Sequence, residues 1–132
     1  MILGSMHSLG SVRSRACGIA LLLAAAPVLA ETAAFGPFTV EVPARGFQEH
    51  CVRLEAGQRM RYHFTATGEV DFNIHYHRGS AVYYPVKSEG ARARNSAYTA
   101  PHADGYCLMW ERRGDEAVRV EGIVELDTGA AR

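Results

Sequence analysis

The chain has 132 residues, and its 14 basic residues balance its 14 acidic residues, so the formal net charge is zero. This balance, without a basic stripe, argues against nucleic acid or an acidic membrane surface as a partner. A chain of this length suits one domain built around one hydrophobic core.

Residues 1–30 have the pattern of a signal peptide. Two arginines precede a short apolar run, and small residues end the run at Ala30, after which we expect cleavage. The run is short for a bilayer span, which needs about 20 residues; an uncleaved anchor is the alternative. The expected mature domain, residues 31–132, contains no second apolar stretch long enough to span a membrane. The sequence therefore predicts a periplasmic or secreted protein.

Two cysteines, Cys51 and Cys107, follow the predicted cleavage site. An even pair in an exported chain indicates one disulfide. The alternative is a pair of thiols that bind a metal or perform redox chemistry, although no CxxC motif supports it.

Short segments of alternating polarity predict strands along the whole mature domain. The predicted strands are 38–42, 47–54, 59–67, 70–77, 81–84, 98–100, 106–111 and 117–126. Turns are predicted at 67–69 and 78–80, and a polar loop over 85–95. Seven or eight short strands without an amphipathic helix predict an all-β fold, an antiparallel β-sandwich.

Several short motifs follow one another in a fixed order between residues 51 and 126. They are Cys51 at the start of a strand, a turn at Gly57, the V-D-F-x-I strand 70–74, a turn at Gly79, the Gly105-Tyr106-Cys107 segment and the valine-rich strand 118–124. In this order they resemble the GOLD domain, the lumenal β-sandwich of the emp24/p24 family. The resemblance implies a jelly-roll-like sandwich, a bridge between the two cysteines and a role in binding.

The chain also departs from the GOLD pattern at two points. Cys107 follows Tyr106 directly, whereas the family's second cysteine usually lies three residues after the tyrosine. A shift of two residues keeps the same strand face, so the bridge remains expected. The family's helical stalk and membrane anchor are missing from this sequence, so the resemblance does not imply a cargo-receptor function.

The H-x-H motif of the predicted strand 70–77 suggests a metal site. His75 and His77 lie on one face of an extended strand, about 7 Å apart, which allows two imidazoles to share an ion. His63, on the polar face of the preceding predicted strand, would face this pair across a hairpin. Three histidines suit Cu(II) or Zn(II). The alternative is that the histidines are solvated or stack on neighbouring tyrosines.

The same hairpin predicts a surface for ligand binding. Tyr83 and Tyr84 point to opposite faces of their strand, so one of them should be exposed beside His75 and His77. Aromatic side chains with a polar tip often mark binding surfaces. We take this corner, together with Asn73, as the expected ligand site.

Catalysis finds little support, because the chain has neither a nucleophile-elbow motif nor a Gly-rich phosphate loop. The sequence thus predicts no catalytic residues and no cofactor. It favours an exported, non-catalytic binding module that recognises a protein or a small ligand. The alternative function is a periplasmic copper- or zinc-binding protein that uses His63, His75 and His77.

Overall fold

The computed structural model describes residues 36–127; the predicted signal peptide lies outside this range. The described part is all-β. Its strands are β1 (Pro37–Val42), β2 (Phe47–Leu54), β3 (Arg59–Arg78), β4 (Ala81–Thr99), β5 (Asp104–Glu111) and β6 (Val118–Asp127). Within residues 36–127, no helix has the length and apolar character that a bilayer span requires.

The long strand β3 organises the sheet. It pairs with β4 on one edge along most of its length. On its other edge, β6 pairs with residues 59–66 and β5 pairs with residues 71–75. β1 extends the sheet beyond β6, and β2 extends it beyond β5, all in antiparallel register. The result is one curled antiparallel sheet whose two halves share β3 and β4 and face each other, as in a sandwich.

The core lies between the two halves and is centred on aromatic rings. Phe64 comes from the first half of β3, Phe72 from its second half and Trp110 from β5, and their ring centroids lie 5.0–5.8 Å apart. Phe38 of β1 adds a ring 5.1 Å from that of Trp110. These four rings belong to the core or pack against it, and His63, which the sequence predicts on the polar face of its strand, is exposed.

The predicted disulfide is also confirmed. Cys51 of β2 and Cys107 of β5 are directly opposite each other in the register and are bonded. The positions of β1, β2, β5 and β6 agree with the sequence prediction to within two residues at each end.

The predicted turn at 67–69 is wrong. β3 runs unbroken through these residues and only shifts its register with β4 between Thr65 and Val70. Gly68 lies within the strand, close to β6, rather than in a turn. A Cβ atom at this position would lie 2.6 Å from Cγ1 of Val118, so the glycine is needed for close packing.

The predicted loop over 85–95 is wrong as well. These residues belong to β4, which continues from the hairpin turn at 79–80 to Thr99 and includes the predicted short strand near 98–100. Gly90, with a φ of 61°, lies where the pairing with β3 is irregular. Because these changes merge predicted strands, the described residues form six strands instead of seven or eight.

Candidate functional site

The outer surface of the half-sheet made by β2, β5, β3 and β4 carries the H-x-H motif. We call it the histidine face. Directly opposed residues share a face of an antiparallel sheet, and the register therefore assigns its members. They include Phe47, Glu49 and Cys51 of β2, Cys107, Met109 and Glu111 of β5, Asp71, Asn73, His75 and His77 of β3, and Val82, Tyr84 and Lys87 of β4.

His75 is the fixed centre of this face. Its side chain is buried, with 4% of the residue exposed. Its Nδ1 lies 2.8 Å from Oδ1 of Asn73. A carbonyl oxygen only accepts hydrogen bonds, so Nδ1 is the protonated nitrogen and donates to Asn73. Nε2 consequently points the other way, 3.5 Å from Oε2 of Glu49.

The surroundings of His75 favour its neutral form. Burial lowers the pKa of His75 below its ordinary value of 6.5. The carboxylate of Glu49 opposes this by raising the pKa, and the neighbouring His77 adds to the lowering. The ring thus has one nitrogen occupied by a hydrogen bond and a second nitrogen with an available lone pair.

Exposed side chains surround this buried ring. The ring of Tyr84 lies 5.5 Å from that of His75 and is 44% exposed. The ammonium group of Lys87 lies 4.4 Å from the centroid of the Tyr84 ring. The exposed His77 has its ring 5.2 Å from that of His75. Phe47, which is 56% exposed, lies at the β2 edge of the same face.

An open depression of about 230 Å³ adjoins these side chains. Tyr84 and Lys87 border it on the β4 side, and Met109 and Arg113 border it on the β5 side. Arg113 forms an ion pair with the carboxylate of Asp71 at the same depression. The site therefore combines an exposed aromatic ring with charged groups of both signs.

Four of the residues predicted for the ligand site come together here: Asn73, His75, His77 and Tyr84. The fifth, Tyr83, lies on the opposite side of β4, where its ring stacks on that of Tyr76 at 5.1 Å. Both tyrosines are exposed, whereas the sequence predicted that one of them would be.

The predicted approach of His63 to the histidine pair needs correction. Because β3 has no turn at 67–69, His63 and His75 are twelve positions apart on one strand. Between them β3 curls so strongly that the rings of Phe64 and Phe72 pack 5.0 Å apart in the core, and the outward-facing His63 and His75 therefore lie on opposite outer surfaces. His63 instead pairs with Asn95 and Ile123 in the other half of the sheet.

Glu49 is a residue of this face that the sequence did not predict as part of the site. This residue and His75 are 26 positions apart in the chain, and they meet because β5 aligns β2 with the second half of β3. The alternation of β2 placed Glu49 on the face of Cys51, and the predicted disulfide placed Cys51 beside Cys107. The alternation of β2 and the predicted disulfide together place Glu49 on the same face as Cys107.

The fold defines this protein as a small antiparallel β-sandwich with one inter-strand disulfide. No family model and no curated protein matches the chain, so membership of the GOLD family stays a prediction.

Solved structures of similar fold do exist. Aeromonas hydrophila PliG, a periplasmic inhibitor of g-type lysozyme, matches with a TM-score of 0.53 and 14% identity, over 72% of this chain and 89% of that chain. The pre-peptidase C-terminal domain of a Bacillus anthracis collagenase matches with a TM-score of 0.51 and 10% identity, over 67% of this chain and 88% of that chain. At these identities the likeness shows the sandwich fold.

Proposed function

We propose that this protein is an exported, non-catalytic binding module that recognises a protein partner through the histidine face. The observation that carries the proposal is the exposure of Tyr84 and Phe47 on the face that also holds the immobilised His75. A small ligand at the corner of Asn73, His75, His77, Tyr83 and Tyr84 stays a prediction from the sequence.

The composition of this face suits protein recognition. Aromatic residues, methionine and arginine are enriched in interface cores, and tyrosine is among the residues that most often dominate binding energy. Tyr84, Phe47, Met109 and Arg113 supply these types on one surface. They project from paired strands or lie directly beside them. Because such a scaffold is already rigid, these side chains lose less conformational entropy when a partner binds.

Two observations support export. The disulfide between Cys51 and Cys107 is of a kind that persists in oxidising compartments such as the bacterial periplasm. PliG, which shares the fold, is described as periplasmic. The same description makes PliG an inhibitor of another protein, which is a precedent for this sandwich acting by protein binding.

The shape of the site supports recognition over catalysis. The depression beside Tyr84 is open, and enzymes gain much of their electrostatic advantage by excluding water from the reacting groups.

Photocrosslinking at single positions tests the proposal while the partner is still unidentified. A photoreactive benzoylphenylalanine replaces Tyr84 in one variant and Ile123 in the other, and the cells that export the protein are irradiated. Ile123 is a matched control because it is 40% exposed on the other half of the sheet. We expect a discrete protein adduct from position 84 that position 123 does not give.

Identification of the adduct completes the experiment. The adduct formed at position 84 should disappear when Phe47→Ala is added, because both side chains belong to the proposed interface. The same adducts from positions 84 and 123, or none from position 84, would contradict recognition through the histidine face.

A further inference from the structure

We propose that the histidine face binds one divalent transition-metal ion, Cu(II) or Zn(II), through Glu49, His75 and His77. This ligand set replaces the three-histidine set suggested by the sequence. The proposal is independent of the proposed protein partner, since it concerns the metal ion alone.

The separation of the two nearest donor atoms fits a shared ion. Protein Zn–N and Zn–O bonds are each about 2.1 Å long, so two ligand atoms at a tetrahedral angle lie about 3.4 Å apart. Nε2 of His75 and Oε2 of Glu49 are 3.5 Å apart. A direct N–H···O hydrogen bond is shorter, about 2.7–3.2 Å. The gap is therefore wide for a hydrogen bond and suitable for an ion.

Asn73 prepares His75 for this role. Metal-binding histidines generally donate their second ring N–H to an oxygen acceptor, which fixes the orientation and tautomer of the ring. The bond from Nδ1 of His75 to Oδ1 of Asn73 is of this kind, and it leaves Nε2 as the ligand atom. Because the ring is buried, it loses little freedom when an ion binds.

His77 supplies the third ligand. Its ring lies 5.2 Å from that of His75 on the same face of β3, and its exposed side chain can turn toward the ion without disturbing the core. The Sγ atom of Cys107 lies within 4.8 Å of the nearest ligand atoms of His75 and Glu49. That sulfur belongs to the disulfide with Cys51, so it offers no thiolate to the ion.

Two imidazoles, which are borderline ligands, and one carboxylate, which is a hard ligand, form a set that Zn(II) and Cu(II) accept, and divalent affinities generally rise toward Cu(II). With three protein ligands, the site keeps at least one coordination position open on the exposed side. Cu(II) should accordingly bind more tightly than Zn(II) at the same residues.

The test is a titration of the exported protein, purified with its disulfide intact, with Cu(II) and with Zn(II). Free thiols are counted first, because a reduced Cys107 would itself bind either ion. We expect one ion per chain by calorimetry, and an electron paramagnetic resonance spectrum of the copper form that shows coupling to two nitrogens.

Substitutions then locate the ion. Glu49→Gln and His75→Gln should each weaken binding at least tenfold, and Asn73→Ala should weaken it by about 10- to 100-fold, as expected for loss of a ligand-orienting partner. His77→Gln should reduce the coupling from two nitrogens to one. His63→Gln is the matched control and should leave the affinity unchanged, because His63 is an exposed strand histidine in the other half of the sheet.

A variant that does not fold also loses metal binding, so the fold of the variants is measured separately from their affinity. Because His75 is buried, the fold of His75→Gln is checked by near-ultraviolet circular dichroism. If that variant does not fold, Glu49→Gln alone tests whether these side chains bind the ion. The proposal is overturned if the intact protein binds neither ion, if Glu49→Gln binds as tightly as the unmodified protein, or if His63→Gln weakens binding as much as Glu49→Gln does.

Discussion

At the scale of single residues, a cluster of aromatic side chains lies beside the β3–β4 hairpin on the core side of the sheet. The ring of Tyr98 is 5.3 Å from that of Tyr106, and the hydroxyl of Tyr106 donates to the backbone oxygen of His102 at 2.9 Å. Burial raises the pKa of Tyr98 to about 12, and the neighbouring Tyr106 and Tyr76 add to the effect. Burial also raises the pKa of Tyr106.

This cluster predicts a loss of stability at high pH. The pKa of Tyr98 is about 12 in the folded state, above the value of 10.0 that applies when the side chain is unfolded. Its neutral form therefore contributes stability fully below pH 10, and this contribution decreases as pH rises from 10 to about 12. We expect the free energy of unfolding, measured by urea denaturation, to fall over this interval.

The variant Tyr98→Phe should make that decline shallower, because phenylalanine cannot ionise. Tyr84→Phe is the control, since Tyr84 is 44% exposed on the other face of the sheet. If Tyr98→Phe and Tyr84→Phe changed the slope equally, the buried cluster would not be the cause.

At the scale of elements, the two long strands β3 and β4 connect the two halves of the sandwich. β4 pairs with β3 alone among the described strands, so its other edge is open. Charged side chains protect such edges against pairing with other chains. Lys87, Arg92 and Arg94 are therefore compatible with an edge strand, although the same polarity led to the prediction of a loop.

Gly68 is where β3 passes closely over β6, and it predicts a specific packing defect. In Gly68→Ala, the new methyl group would lie 2.6 Å from Cγ1 of Val118, a buried and conformationally stiff side chain. Such overpacking costs about 1–3 kcal/mol. We expect a loss of this size in the free energy of unfolding.

Gly105→Ala is the matched control, because a Cβ atom at this position in β5 meets no atom within 4 Å. Its unfolding free energy should equal or slightly exceed that of the unmodified protein, since alanine restricts the unfolded chain. Equal effects of the two substitutions would show that the contact with Val118 is not responsible.

At the scale of the whole molecule, the disulfide joins strands that are far apart in the sequence. Cys51 and Cys107 are separated by 56 positions, a span that contains all of β3 and β4. Closing a loop of this length removes conformational freedom from the unfolded chain and stabilises the fold by about 4 kcal/mol in the chain-entropy model. Domains of this size have total stabilities of about 5–15 kcal/mol, so the bridge supplies a large share.

The double variant Cys51→Ser, Cys107→Ser should therefore lose about 4 kcal/mol of unfolding free energy. Replacing both cysteines avoids a free thiol that would form unwanted disulfides or bind metal. The measurement is urea denaturation under non-reducing conditions, with the unmodified protein as reference. A loss below about 1 kcal/mol would contradict the importance of this covalent link.

Local periodicity in the sequence was sufficient for several features of the fold. Alternating polarity correctly located β1, β2, β5 and β6 and placed His63 on an exposed face. The even cysteine pair correctly predicted the bridge. These inferences hold because successive side chains of any strand point to opposite faces, whatever the strand pairs with.

Strand length, burial and the membership of the site depended on tertiary contacts. Gly68 and the polar residues 85–95 resemble turn and loop residues until their pairing partners are known. His75 was expected on an exposed face, but Asn73, Tyr84 and Glu49 surround it. Glu49 lies beside His75, and His63 lies in the other half of the sheet, because the register between strands fixes the distances between residues that are far apart in the chain. No local pattern in the sequence specifies that register.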